Sequence, residues 1–383
     1  MFKIFVNAKS LADIYLSEGE RANIRNQSDW FRILMKQSKL FTEGYEMPSS
    51  ISAMDPLSDE YVLFLLSQNN PQIELTPSDD YLSSIAEHPD AVLQYPKSIF
   101  WLDIDSKQAR KIQKDYGVLI QPASKKFDTK CITREIDTYS FKQSKKINSS
   151  WKDIYAGVAS ILGNAICLVD RNLFAYDGQL DPKTGKEQAN GLYNVFFILD
   201  SALPKGLKTH YDVTILTEQR TKTVQDPETG TEKVVIDDEF MNRLSNGIFS
   251  LIPSLKRNYN INVEIVAFKK PTKNHRVSYY NDTHNRRIFS NYYTISADLG
   301  LNAINYSNLL KPIGIYSQEI TRKTNYSTGL RSNSSSPVED ADRMSSVWAN
   351  FIDYWRKNCE TDDYWYASNS EKTFLNHKNR LFY

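Results

Sequence analysis

The stretch from Lys269 to Gly300, KKPTKNHRVSYYNDTHNRRIFSNYYTISADLG, concentrates the residue types that hold polyanions. Between Lys269 and Arg287 it carries six cations (Lys269, Lys270, Lys273, Arg276, Arg286 and Arg287) against one acid, Asp282, a local net charge of +5. Tyr279 and Tyr280 fall among them, and Tyr292 and Tyr293 follow. Lysine and arginine neutralise phosphates and aromatic rings stack on unpaired bases, so this mixture suits single-stranded nucleic acid. The same composition also serves as a solvated loop between two strands, with the tyrosines turned into a core.

Two carboxylates offer a second chemistry. Asp170 and Asp200 each close an apolar run, AICLVD and VFFILD. If both runs are strands of an open α/β sheet, both acids stand at carboxyl ends, where such sheets bind ligands. A carboxylate pair there holds Mg²⁺ for metal-dependent cleavage of a phosphodiester. Asp103 and Asp105 close SIFWLDID in the same way, which resembles PIN-like nucleases in outline. An aspartate after a strand is also an ordinary turn or helix-cap residue.

Within the basic stretch, His284, Arg286 and Asn291 read H-x-R-x4-N, followed by Gly300-Leu301-Asn302. This resembles the H-x-K-x4-D motif of the phospholipase D superfamily, and degenerate phospholipase D-like domains that keep only His-x-Arg. The resemblance covers about 15 to 20 residues and implies an α/β fold for the surrounding region. It implies roles for His284 as the nucleophile on phosphorus, Arg286 as the phosphate clamp and Asn291 in the slot of the acid that tunes the histidine. Asn291 carries no negative charge, and the chain has one copy of a motif that the family uses in pairs. The resemblance therefore implies phosphate binding, or catalysis in a homodimer that brings two His284 side chains together.

The elements that must position these residues follow from hydrophobic period and turn chemistry. Phe2–Val6 and the run KSIFWLD at 97–103 read as strands. Ser106 caps a helix over Lys107–Tyr116, Gly117 ends it, and Val118–Ile120 is the next strand. Residues 126–150 are polar and basic and read as a linker, with a short strand near Cys131–Ile136. From Trp151 a second unit shows a helix at Asp153–Leu162 and strands at Ala165–Asp170, Tyr193–Leu199, Val213–Thr217 and Asn262–Phe268. A hairpin is expected around QDPETGT at 225–231. A helix opens at Asp237-Asp238-Glu239 and runs to about Arg257. Beyond a Ser-rich stretch at 332–336, a helix is expected over Met344–Asn358, with Val347, Phe351 and Trp355 on one face and Trp348 beside them.

Composition bounds the rest. The 383 residues have a net charge of +1, but residues 1–100 hold 8 Lys+Arg against 14 Asp+Glu and the remainder 39 against 32. The basic excess thus sits in the second part of the chain. Three separated cysteines, Cys131, Cys167 and Cys359, argue against a disulfide framework or a Cys-based zinc site. Neither a signal-peptide pattern nor an apolar run of membrane length is visible, which points to the cytoplasm. P-loop, Rossmann, nucleophile-elbow and zincin motifs are missing.

The expectation is two α/β units with mixed sheets: an N-terminal domain at 1–125 and a second, phospholipase D-like domain at 151–330. A helical extension follows at 341–383. Function is expected in nucleic-acid or phosphate binding within a bacterial system such as antiphage defence. No cofactor is expected unless Asp170 and Asp200 hold Mg²⁺, and the alternatives are a nuclease and a protein-interaction scaffold.

Overall fold

The computed structural model describes residues 2–7, 10, 38–43, 73–78, 80–96, 98–123, 135–137, 151–156, 163–180, 182, 185, 187–269, 286–297, 300–301, 324–328, 364–370 and 379–382. They belong to two compact units, one lying mostly within Met1–Arg134 and the other within Glu135–Ser160, Asn164–Ser327 and Met344–Tyr383.

The first unit is a five-stranded sheet in the order β3-β2-β1-β4-β5, from Phe2–Val6 (β1), Ser38–Thr42 (β2), Ile73–Leu75 (β3), Ser98–Leu102 (β4) and Leu119–Pro122 (β5). All its pairings are parallel, so the mixed sheet expected here is corrected to a parallel one. A parallel sheet is covered on both faces, which is why SIFWL reads as an unbroken apolar run and is buried at all five positions. Tyr81–Ser84 (α1) and Ser106–Tyr116 (α2) bring Tyr81, Leu82, Ala109 and Ile112 onto Phe5, Phe41 and Phe100. The cap of α2 is Asp105, one residue before the expected Ser106; its carboxylate accepts from the Lys107 and Gln108 amides. Gly117 ends the helix at φ 68°, where a side chain would be strained.

The second unit is built on an eight-stranded mixed sheet in the order β15-β11-β8-β7-β12-β13-β14-β6. Its strands are Glu135–Asp137 (β6), Ala165–Val169 (β7), Tyr211–Glu218 (β8), Ile261–Phe268 (β11), Arg287–Ser290 (β12), Tyr293–Ala297 (β13), Thr324–Thr328 (β14) and Tyr364–Ser368 (β15). β7, β8 and β11 are parallel neighbours, while β12 and β15 flank them antiparallel. β6 falls inside the stretch expected to be a linker and pairs with β14. The helices are Trp151–Ala156 (α3), Asn190–Ala202 (α4) and Asp238–Leu251 (α5). Val195, Ile198 and Leu199 of α4 and Phe240, Leu244 and Ile248 of α5 pack with Ile166, Val213, Ile215, Val263 and Ile265 of the sheet. The hairpin Thr221–Gln225 (β9) and Glu232–Ile236 (β10) stands between β8 and α5, as its turn residues predict.

One further expectation changes. Tyr193–Leu199 is helix, not strand, because it lies inside α4. The expected helix at Met344–Asn358 lies outside the described residues; the described part of that extension is β15 and a 3-10 turn at Arg380–Phe382. Among the described residues no helix is long and apolar enough to cross a membrane.

Candidate nucleic-acid interface

The parallel core of the second sheet defines two edges, and the register of each pair fixes which residues share one. At the carboxyl edge, Phe268 of β11 stands beside Glu218 of β8, and Val169 of β7 stands beside Arg287 of β12. Glu218 N donates to Arg171 O at 3.1 Å, and Gln219 N donates to Phe268 O at 2.8 Å. Lys269, Gln219, Arg171, Asp170, Arg286 and Arg287 therefore gather along one edge. Lys269 leaves β11 there and Arg286 enters β12 there, so the two ends of the basic stretch meet the sheet at the same edge, on either side of β8 and β7. Lys269 is exposed, and Arg171 and Arg287 are half-buried.

Asp170 is wholly buried behind these cations. Its Oδ1 lies 3.5 Å from Arg286 Nε, Leu301 N donates to Oδ2 at 2.7 Å, and Asn172 N donates to Oδ1 at 2.9 Å. Burial pushes the carboxyl above its usual range, against the pull of those amides, Arg286 and Arg171.

In parallel α/β units an anion often sits on the helix N-termini that open on this edge. Both are closed by carboxylates here. Asp177, 4 % exposed, accepts from Gly191 N and Leu192 N in the first turn of α4, each at 2.8 Å. Asp237 accepts from Phe240 N in the first turn of α5, where Asp238 and Glu239 add negative charge. Arg220 donates to the Asp177 carbonyl and lies 4.3 Å over the Phe240 ring. An anion at this edge must then be taken by side chains rather than by helix amides.

The structure separates the other expected site residues. Asn291 stands at the far end of β12, roughly 17 Å from Arg286 for five extended residues. Its Oδ1 accepts from Asn164 N and Ala165 N, both at 3.0 Å, and its Nδ2 donates to Asn164 Oδ1 at 2.9 Å. It anchors the start of β7. Asp200 lies in the last turn of α4, not at a strand end, and pairs with Arg257 at 3.1 Å. Helix α4 starts at the carboxyl edge and runs back, so Asp170 and Asp200 stand at opposite edges and form no metal pair. Among the described residues no group of three or more His, Cys, Asp or Glu is placed to hold a metal ion. His284, Lys270, Lys273, Arg276, Tyr279 and Tyr280 lie outside the described residues. Tyr292 is buried, so it is no platform for a base.

Sequence reasoning missed two buried acids on the other face of the sheet, Asp212 and Glu264. Glu264 accepts from Thr214 Oγ1 and, at 3.4 Å, from Tyr366 Oη. Asp212 accepts from Asn262 Nδ2 at 3.0 Å and lies 3.8 Å from Arg380 Nε. Asn379 donates to Thr214 Oγ1 at 2.7 Å. A polar residue at every second strand position was the available signal, but it also describes a solvent-facing side.

Neither a protein-family model nor a curated protein sequence matches the chain.

Proposed function

We propose that the second unit binds single-stranded nucleic acid along the carboxyl edge of its eight-stranded sheet. The observation that carries this reading is the convergence of both ends of the Lys269–Arg287 stretch on that edge, beside Arg171. Lys269, Lys270, Lys273, Arg276 and Arg287 are the phosphate contacts, and Tyr279 and Tyr280 are the stacking platforms. Arg286 belongs to the framework, since it neutralises Asp170. A binding role is favoured over cleavage because Arg286 and Asn291 serve buried partners and Asp170 and Asp200 are apart.

Fluorescence anisotropy with labelled single strands over a series of salt concentrations tests the reading. Affinity should fall with salt by about 0.7 log units per log unit of salt for each phosphate contacted. The strand should stay intact with either Mg²⁺ or EDTA. Absence of binding at low salt contradicts the reading, and EDTA-resistant cleavage lost in His284→Ala would replace it with phosphohistidine chemistry.

A further inference from the structure

Three large apolar side chains are strongly exposed among the described residues: Tyr176 at 58 %, Leu180 at 69 % and Val234 at 60 %. Singly, such residues are ordinary. Here all three lie on the two segments that leave the carboxyl edge from β7 and β8, between the cations of β11 and β12. Residues 170–189 join β7 to α4, and the β9–β10 hairpin joins β8 to α5. Tyr176 is held in place without its ring being used. Before it, Leu173 and Phe174 are buried; after it, Asp177 is buried with its carboxylate on the first turn of α4. Arg220 donates to the Asp177 carbonyl, Gly178 N donates to Gln188 O at 2.8 Å, and Gln188 N donates to Gln179 O at 2.8 Å. A Cβ on Gly178 would lie 3.1 Å from Arg243 Nη2, so two guanidinium groups reach this loop. Yet among the described residues the Tyr176 side chain has no hydrogen bond and no aromatic or cationic contact. By contrast, Tyr259 Oη donates to Pro204 O at 2.7 Å, Tyr366 Oη donates to Glu264, and Tyr155, Tyr211 and Tyr292 are buried.

We infer that Tyr176 is a stacking platform for an unpaired base of the strand held at this edge; the inference rests on the binding function proposed above. An open phenol ring beside guanidinium groups suits a ligand that carries both negative charge and flat rings, and nucleic acid is the common polyanion that does. The cations take the phosphates and the ring takes a base. Every base has a π face, so the contact adds affinity without reading sequence. It needs an unpaired base, because bases inside a duplex are already stacked on both faces. The loop is fixed before the strand arrives, so little freedom is lost when the base settles on the ring.

The test uses two labelled single strands of equal length and charge, one with its bases and one whose sugars carry none. Both are titrated onto the full chain, Tyr176→Ala and Tyr176→Phe. Tyr176→Ala should bind the base-bearing strand about tenfold more weakly, with the salt slope unchanged. It should bind the base-free strand as the parent does. Tyr176→Phe keeps the ring and should match the parent on both strands. The side chain is exposed and unengaged, so both variants should melt with the parent. Parent-like binding of the base-bearing strand by Tyr176→Ala overturns the inference, as does an equal loss on the base-free strand; in both cases the binding function stands. Failure of the parent to bind either strand overturns the binding function, and this inference with it.

Discussion

Arg286 Nε and Asp170 Oδ1 meet at 3.5 Å, and the carboxylate is completely buried while the guanidinium is 16 % exposed. The arginine that would be the phosphate clamp of an H-x-R motif is thereby the counter-ion of a carboxylate inside the sheet. Arg286→Ala leaves that buried charge with only the Leu301 and Asn172 amides and the more distant pull of Arg171, and should cost about 3 kcal/mol of stability. Burial already raises the Asp170 carboxyl, so its native form holds a proton more tightly than the unfolded chain. The cost should therefore be largest at neutral pH and shrink in acid, where Asp170 is neutral. Urea denaturation of parent and variant at both pH values checks this; equal stability at neutral pH contradicts it.

Asp177 gives the second pH dependence. Burial pushes its carboxyl up to about 6, against the pull of the Gly191 and Leu192 amides and Arg220. The unfolded chain loses that proton near pH 4, so from about pH 4 to pH 6 the native state binds it and the unfolded state does not. Stability from this group is full below pH 4 and falls by roughly 3 kcal/mol as pH rises to 6. Asp177→Asn should remove that slope, measured as the denaturation midpoint over the same window.

Asn291 is expected to behave as framework. Asn291→Ala leaves Asn164 N and Ala165 N without their buried acceptor and should cost about 3 kcal/mol. Oligonucleotide affinity, measured where the variant is folded, should not change. A loss of affinity with stability intact would return Asn291 to the ligand site.

Two glycines separate crowding from helix propensity. A Cβ on Gly191, in the first turn of α4, would lie 2.1 Å from the Leu173 carbonyl oxygen, and backbone cannot step aside as a side chain can. Gly191→Ala should cost about 3 kcal/mol. A Cβ on Gly247, inside α5, meets only Leu192 at 3.5 Å, an ordinary contact. Gly247→Ala should raise stability by about 0.5 to 1 kcal/mol. Thermal melts of the two variants check both signs.

Much of this architecture was legible in residue order. AICLVD, the Val213–Thr217 run and NVEIVAF are the parallel core strands, Gly117 ends α2, and QDPETGT turns the hairpin. The misreading of α4 has a physical cause. NVFFIL is a short apolar run rich in aromatic and branched residues, and period alone does not separate a buried strand from a buried helix there. Its cap is supplied by Asp177, thirteen residues before Asn190, so no local start signal precedes it. That single misreading moved Asp200 from a helix end to a strand end and created an apparent metal pair with Asp170. Spacing along β12 misled in the same way. His284, Arg286 and Asn291 are close in sequence, but an extended strand carries Arg286 and Asn291 to opposite edges of the sheet.

The most direct measurement of the account is the salt dependence of single-strand binding by Lys269→Ala/Lys270→Ala/Lys273→Ala, beside the parent chain. These substitutions remove three cations where the basic stretch leaves β11 and spare the Arg286–Asp170 pair. If this edge holds the phosphates, the variant folds like the parent, binds more weakly at low salt, and has a slope shallower by about 2. An unchanged affinity and an unchanged slope would show that the strand, if it binds at all, binds elsewhere.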